Sequence, residues 1–319
     1  MIYDCNRPHY YYRAATAYSS YVERLKSSHE GISMTRQEIL ELDCLLTPLL
    51  RQGQSIAHIY ATHGEEIPCS VKTLYNYIDK GVFTARNIDL PKKVKYKARK
   101  KKRQEPEQDY ACRKNRTYQD FQNHTAAYAD APVIEMDTVH GSRQTGKVML
   151  TMLFRNSSFM LIFLMEDCTQ NAVREVFDML TEKLRLDEFK KIFPVILTDN
   201  GSEFKAAEEL ERTRDGKERT RIFYCDPLAS WQKAKLEKSH EYIRRVLPKG
   251  KALDDYKQED MTLLANHINS TARKSLNGRT PFELSELLNS DKLLELLQLK
   301  KIEADCVTLT PVLLKNKQR

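Results

Sequence analysis

A chain of 319 residues is long enough for two or three domains and a sizeable core. Hydrophobic residues at 41% exclude a largely disordered chain, and a formal net charge of +8 favours a polyanionic partner, with nucleic acid ahead of a membrane surface. Seven scattered cysteines without a C-x-x-C pair argue against a disulfide framework or a zinc site, and the longest apolar run, 159–165, is too short to cross a bilayer.

The stretch 1–85 reads as helical. Tyr10 to Leu25 is rich in Ala and Tyr. Thr35 with Glu38 three residues on forms a capping-box pattern, and Ile39, Leu42, Leu46 and Leu49 then share one helical face. Ser55 opens a short helix carrying Ile56, Ile59, Tyr60 and His63. A turn through Gly64 and Pro68 follows. Ser70 caps a second helix with Val71, Leu74, Tyr75 and Ile78 on one face, ended by Gly81. Two short helices joined by a turn suggest a helix-turn-helix, with an ordinary helical hairpin as the competing reading. Lys72, Thr73 and Asn76 lie on the polar face of the second helix, where a recognition helix touches DNA.

Residues 86–130 read as a basic linker. Lys92, Lys93, Lys95, Lys97, Arg99, Lys100, Lys101, Lys102 and Arg103 make nine of the thirteen residues from 91 to 103 cationic, with no acid among them. Self-repulsion extends such a run until an anion neutralises it, and phosphates suit that role.

From 131 to 250 strands and helices alternate in the order β-β-β-α-β-α-β-α, which predicts a mixed sheet with covering helices. The strands fall at 133–139, 147–155, 158–166, 193–198 and 221–225. A helix spans 169–186, with Val173, Val176, Phe177, Leu180 and Leu184 along one face, and another runs from Ser230 to Pro248. Residues 251–319 read as a C-terminal helical region. It contains helices at 260–274 and from Pro281, the latter opened by a Thr280/Glu283 capping box, and helical character over 293–302. The fold class expected is therefore α+β multidomain: an all-α N-terminal region, a mixed-sheet core and C-terminal helices.

Two carboxylates close short apolar runs: Asp137 in Val-Ile-Glu-Met-Asp-Thr, and Asp199 in Thr-Asp-Asn-Gly-Ser-Glu-Phe. A carboxylate at the end of a buried strand is costly unless paired, and a divalent metal such as Mg2+ is the cheapest partner for several converging ones. Each residue alone has a blander reading: a hydrogen-bonded strand-end Asp, a turn at Asp199-Asn200-Gly201, and one helix glutamate among many at Glu237, which Glu241 could replace. Trp231, the single tryptophan, reads as a core or hydrophobic-staple residue ahead of a possible base-stacking one.

The ordered set of Glu135-Met136-Asp137-Thr138-Val139-His140-Gly141, Leu197 to Phe204, and Glu237 in a helix running into Arg244-Arg245-Val246-Leu247-Pro248-Lys249-Gly250 resembles DDE transposases of the insertion-sequence-thirty family. The resemblance covers about 10–288. It implies a ribonuclease-H-like core, as in retroviral integrases, with Asp137, Asp199 and Glu237 as catalytic metal ligands for Mg2+, which Mn2+ can replace. It also implies nicking of element ends and joining of the freed 3′-hydroxyl to target DNA by two-metal phosphodiester transfer. Lys233 and Arg244 are the candidate phosphate contacts near the metals. Double-stranded DNA, as terminal inverted repeats and target, is the expected partner. A homo-oligomer on DNA, no membrane and a bacterial cytoplasmic, nucleoid-associated location are expected with it. Relatives usually carry another helix-turn-helix upstream, and this chain starts too late to include one. An inactive or N-terminally truncated DNA-binding derivative is thus the alternative, with a structure-specific nuclease as a further one.

Overall fold

The protein is described from a computed structural model that covers residues 11–28, 31–93, 111–142, 146–287 and 291–314. Lys95, Lys97, Arg99, Lys100, Lys101, Lys102 and Arg103 lie outside the described residues.

Helix α1 (Ala14–Ser28) presents Tyr18 and Tyr21 to solvent. Helix α2 (Arg36–Arg51) starts where the capping box places it: Thr35 N–H donates to Glu38 Oε2 at 2.7 Å, and Glu38 N–H to Thr35 Oγ1 at 3.3 Å. Ser55 and Ser70 cap α3 (Ile56–Thr62) and α4 (Val71–Asp79). Leu46, Leu50, Ile56, Ile59, Leu74, Ile78 and Phe83 form a core shared by α2, α3 and α4. One facing assignment is corrected: Tyr77 is buried and Tyr75 exposed. Tyr77 stands edge-on to Phe83, and its hydroxyl accepts the Ser33 N–H at 2.9 Å, so inward burial satisfies both ends of the ring. Lys72 and Asn76 are exposed; Thr73 is half-buried, its hydroxyl 2.9 Å from that of Ser70.

The stretch expected as a linker holds α5 (Tyr118–Ala127), opened by a Thr117/Asp120 capping box. The correction has a packing cause: Phe121 is buried with Val195, Leu197, Phe223 and Cys225 against the sheet.

Five strands form that sheet in the order β3-β2-β1-β4-β5, with β1 (Val133–His140), β2 (Val148–Phe154), β3 (Met160–Met165), β4 (Val195–Thr198) and β5 (Arg221–Tyr224). The first three run antiparallel as consecutive hairpins, while β4 and β5 run parallel to β1. The expected mixed sheet is thus present, with β1 at its centre. Helix α6 (Gln170–Leu184) buries the face anticipated for it, but a separate α7 (Leu186–Ile192) follows where one longer helix was expected to end. Arg185, between them, has a φ of +69°, which breaks the helix. A short α8 (Ala207–Glu211) connects β4 to β5.

Helix α9 (Ala234–Val246) crosses β1, and α10 (Gln258–Asn269) flanks β3. Edge strand β3 would expose unpaired backbone groups. Gln258 and Asn269 of α10 take them: Leu164 N–H donates to Gln258 Oε1, Gln258 Nε2 donates to Ile162 O, Met160 N–H donates to Asn269 Oδ1, and Asn269 Nδ2 donates to Met160 O. Helices α11 (Pro281–Leu287) and α12 (Asp291–Leu296) follow, and the helical character expected over 293–302 stops at Leu296 within α12. Residues 304–309 return to the loop between α2 and α3: Gln54 Nε2 donates to Ala304 O and Val307 O, both at 3.0 Å, and Leu309 N–H donates to Gln52 O at 2.9 Å. No helix among the described residues is long and apolar enough to cross a membrane.

Candidate active site

Strand β1 alternates its side chains, so Glu135 and Asp137 share one face, the face of Leu197 and Phe223 by register. Asp199 follows the last residue of β4, which runs parallel to β1. Two carboxylates from neighbouring strands therefore arrive at one place. The 3-10 turn Ser230–Lys233, which leads into α9, delivers Lys233 between them. Its Nζ lies 3.2 Å from Asp137 Oδ2, 3.4 Å from Asp199 Oδ2 and 3.3 Å from Met136 O.

The electrostatics follow from one ammonium facing two carboxylates. Burial pushes the Asp137 carboxyl up to about 6; the Lys233 ammonium opposes this and the Asp199 charge adds to it. Burial alone lowers the Lys233 pKa, but Asp137 and Asp199 together outweigh it and the net shift is upward. The two groups titrate high for different reasons: Asp137 because it is buried, Lys233 because two carboxylates face its ammonium.

The loop after β4 is tied to β1. Thr138 Oγ1 donates to the buried Glu203 Oε1 at 2.6 Å, and Gly201 N–H donates to Asp199 Oδ1 at 3.0 Å. A Cβ on Gly201 would come within 2.6 Å of the Glu203 carboxylate, so a side chain there would have to displace Glu203 from Thr138. Asn200 Nδ2 donates to Cys225 O at 2.9 Å, while Asn200 Oδ1 is buried without a hydrogen-bond partner.

Beneath Asp137, Thr151 Oγ1 donates to the Asp137 carbonyl at 2.9 Å and lies 2.8 Å from His240 Nε2. The hydroxyl proton is committed to the carbonyl, so a neutral His240 would donate through Nε2–H and carry no proton on Nδ1. Burial, with Lys233 and Arg244 nearby, lowers its pKa to about 4, in keeping with that form.

The start of α9 is held by Glu135, 2% exposed. Its Oε2 accepts the Leu236 N–H at 2.8 Å and its Oε1 accepts from Arg155 Nε at 2.9 Å; Arg155 Nη2 also donates to Gln232 O at 3.1 Å. Leu236 immediately precedes Glu237. Sequence reasoning did not single out Glu135, although an acid two residues before Asp137 on a strand must share its face.

The expected site residues thus divide. Asp137, Asp199 and Lys233 are brought together. Lys233 is directed inward to the carboxylates. Glu237 is on α9, one turn past Lys233, with an exposed side chain. Among the described residues no group of three His, Cys, Asp or Glu side chains is close enough to hold a metal ion. Arg244 Nη2 donates to His140 O at 2.9 Å. Lys92 pairs with Glu241 of α9 at 2.6 Å, and Lys93 with Asp79. Trp231 is 73% exposed, which overturns its expected core role; the turn that buries Lys233 points it outward.

The donor chemistry fits a hard divalent cation. Two carboxylate oxygens already lie within 3.4 Å of one cationic nitrogen, and Asn200, next to Asp199 in the chain, has a buried side-chain oxygen without a hydrogen-bond partner.

No protein-family model matches the chain. Among curated proteins it is 23% identical over 244 residues to a probable transposase for insertion-like sequence element IS1161 of Streptococcus salivarius, covering 75% of this chain and 66% of that one. It is 26% identical over 159 residues to the transposase for IS4351 of Bacteroides fragilis, with coverages of 50% and 46%. It is 28% identical over 152 residues to transposase InsI for IS30C of Escherichia coli, with coverages of 48% and 37%. The chain therefore spans less than two thirds of the length of each of these relatives. The catalytic core domain of BIV integrase aligns over 50% of this chain and 97% of its own, at 18% identity and a TM-score of 0.36. In sequence, then, this chain is similar to the transposases of bacterial insertion sequences, those of IS30 elements among them.

Proposed function

We propose that the chain is a DNA transposase that cuts the ends of an insertion sequence and joins the freed 3′-hydroxyl to target DNA, using one site built on Asp137, Asp199 and Glu237. The observation that carries this reading is the convergence of Asp137 and Asp199, from adjacent parallel strands, on a single cation. Similarity to named transposases supports it.

Asp137 and Asp199 would hold divalent metal, Mg2+ or Mn2+, with Glu237 joining from α9. When bound, such ions supply Lewis-acid stabilisation of the attacking and leaving oxygens of a phosphodiester. The chain's residues do the positioning. Glu203, through Thr138, sets the loop that carries Asp199. Glu135 and Arg155 fix the start of α9, and with it the position of Glu237. His240 stays neutral and supports β1 from beneath.

The sheet and its helices over 131–250 would form the ribonuclease-H-like core. The α3–α4 pair within 1–85 would act as the helix-turn-helix, with Lys72 and Asn76 exposed to read bases. The cationic run within 86–130 would neutralise phosphates. Residues 251–319 would brace the core. Two DNA ends must meet, so the working form would be a homo-oligomer on double-stranded DNA in a bacterial cytoplasm.

A nicking assay tests the cutting step. The purified chain, incubated with Mg2+ or Mn2+ and DNA carrying the sequence that flanks its coding region, should nick at the boundary, and Asp137→Asn should lower the rate at least about 100-fold. Equal nicking by Asp137→Asn would reject the assignment of the site.

A further inference from the structure

Lys233 is 3% exposed, and its ammonium has three donors facing three oxygens: Asp137 Oδ2, Asp199 Oδ2 and Met136 O. Its backbone is pinned on both sides. Before it, Gln232 and Asp226 bond each other twice, Asp226 N–H to Gln232 Oε1 at 2.7 Å and Gln232 Nε2 to Asp226 Oδ2 at 2.9 Å. After it, the Leu236 N–H is held by Glu135. The placement is therefore built into the turn, unlike that of a surface lysine folded in by chance. A buried lysine at this position is tolerated only because its charge is paired, and removing one partner of such a pair leaves the other uncompensated.

We propose that Lys233 is a resident counter-cation that competes with divalent metal for the Asp137 and Asp199 oxygens, so that metal entry requires its ammonium to leave. The inference rests on the metal-site reading given above. Without metal, Lys233 holds the two carboxylates together against their mutual repulsion. A divalent ion needs oxygens at about 2.0–2.1 Å, and these two cannot serve it while they also hold the ammonium. Released on its four-carbon stem, the ammonium becomes a donor at the mouth of the site, available to a DNA phosphate. Metal occupancy and phosphate binding are thereby coupled: a phosphate that receives the displaced ammonium favours metal entry, and metal entry frees the ammonium for the phosphate.

The test is Mn2+ binding to the full chain without DNA, followed by electron paramagnetic resonance or calorimetry. Wild type is compared with Lys233→Met, Lys233→Gln and Asp199→Asn. Lys233→Met should bind Mn2+ about tenfold more tightly than wild type, and Asp199→Asn should lose binding. Lys233→Gln, which can still donate to Met136 O, should also bind more tightly. A second arm uses the unaltered protein, so it does not depend on the variants folding: Lys233 should resist amine acylation without metal and become reactive at saturating Mn2+, read by peptide mass spectrometry. Equal or weaker Mn2+ affinity in both Lys233 variants, or a Lys233 that stays protected at saturation, overturns the inference while loss of binding in Asp199→Asn leaves the metal site standing. Absence of saturable Mn2+ binding in wild type and variants alike overturns the metal-site reading, and this inference with it.

Discussion

Glu135 sets the start of α9 from the middle of β1. Its carboxylate acts as a helix cap, one oxygen on the Leu236 N–H, while the other neutralises Arg155. Glu135→Ala would leave that amide and the guanidinium without their carboxylate, and breaking such a buried pair costs about 3 kcal/mol. Urea unfolding should register this as a lower midpoint at unchanged slope, with Glu135→Gln intermediate; a midpoint within error of wild type would mean that α9 is positioned by packing alone. At this scale legibility depended on distance along the chain. Asp137 and Asp199 stood out because each ends an apolar run within its own few residues. Glu135 did not, because its partner amide is 101 positions away. Lys233 was read as a phosphate contact for the same reason: its ion pairs come from β1 and from the loop after β4, which only the fold brings to it.

Between elements, the joint of α3 and α10 with residues 304–309 carries buried histidines. His267 Nδ1 accepts the Thr308 N–H at 3.0 Å, and burial lowers its pKa from 6.5 to about 4. His58 Nδ1 accepts the Ala272 N–H at 2.9 Å and is likewise lowered, first by burial. A depressed histidine binds its proton more readily unfolded. Its contribution is therefore fully present above pH 6.5 and is lost as pH falls toward about 4. His63, at the same joint, titrates the other way, raised by its bonds to Glu66 and Asp305. Hydrogen exchange at the Thr308 amide should therefore accelerate, beyond the intrinsic pH effect, between pH 6.5 and 4, and less so in His267→Gln. Protection independent of pH in wild type would show that His267 does not hold this segment. Capping boxes made elements legible: Thr35/Glu38 and Thr280/Glu283 start their helices as read. Thr117/Asp120 carried the same signal for α5 but sat beside a cationic run, and the long charged stretch dominated the reading of that region.

Across the molecule, the described residues gather into one core around the sheet, one among α2, α3 and α4, and one between α5 and the sheet. That the sheet is mixed was legible from the chain order of strands and helices, but its spatial order, with β1 at the centre, was not. Covering helices such as α6 and α9 were legible as well, but the packing of Phe121 on the sheet and the capping of edge strand β3 by the α10 side-chain amides were not, because these contacts span many residues. The fold brings β1, the loop after β4 and the start of α9 together at Asp137, Asp199 and Lys233, where the proposed joining of DNA strands would take place. Strand transfer tests this: purified chain, labelled DNA carrying the sequence that flanks its coding region, a target plasmid and Mg2+ or Mn2+, with Asp199→Ala alongside. Joined product from wild type, absent in Asp199→Ala while both still bind DNA, is the expected result. Joined product from Asp199→Ala at the wild-type rate would contradict the account.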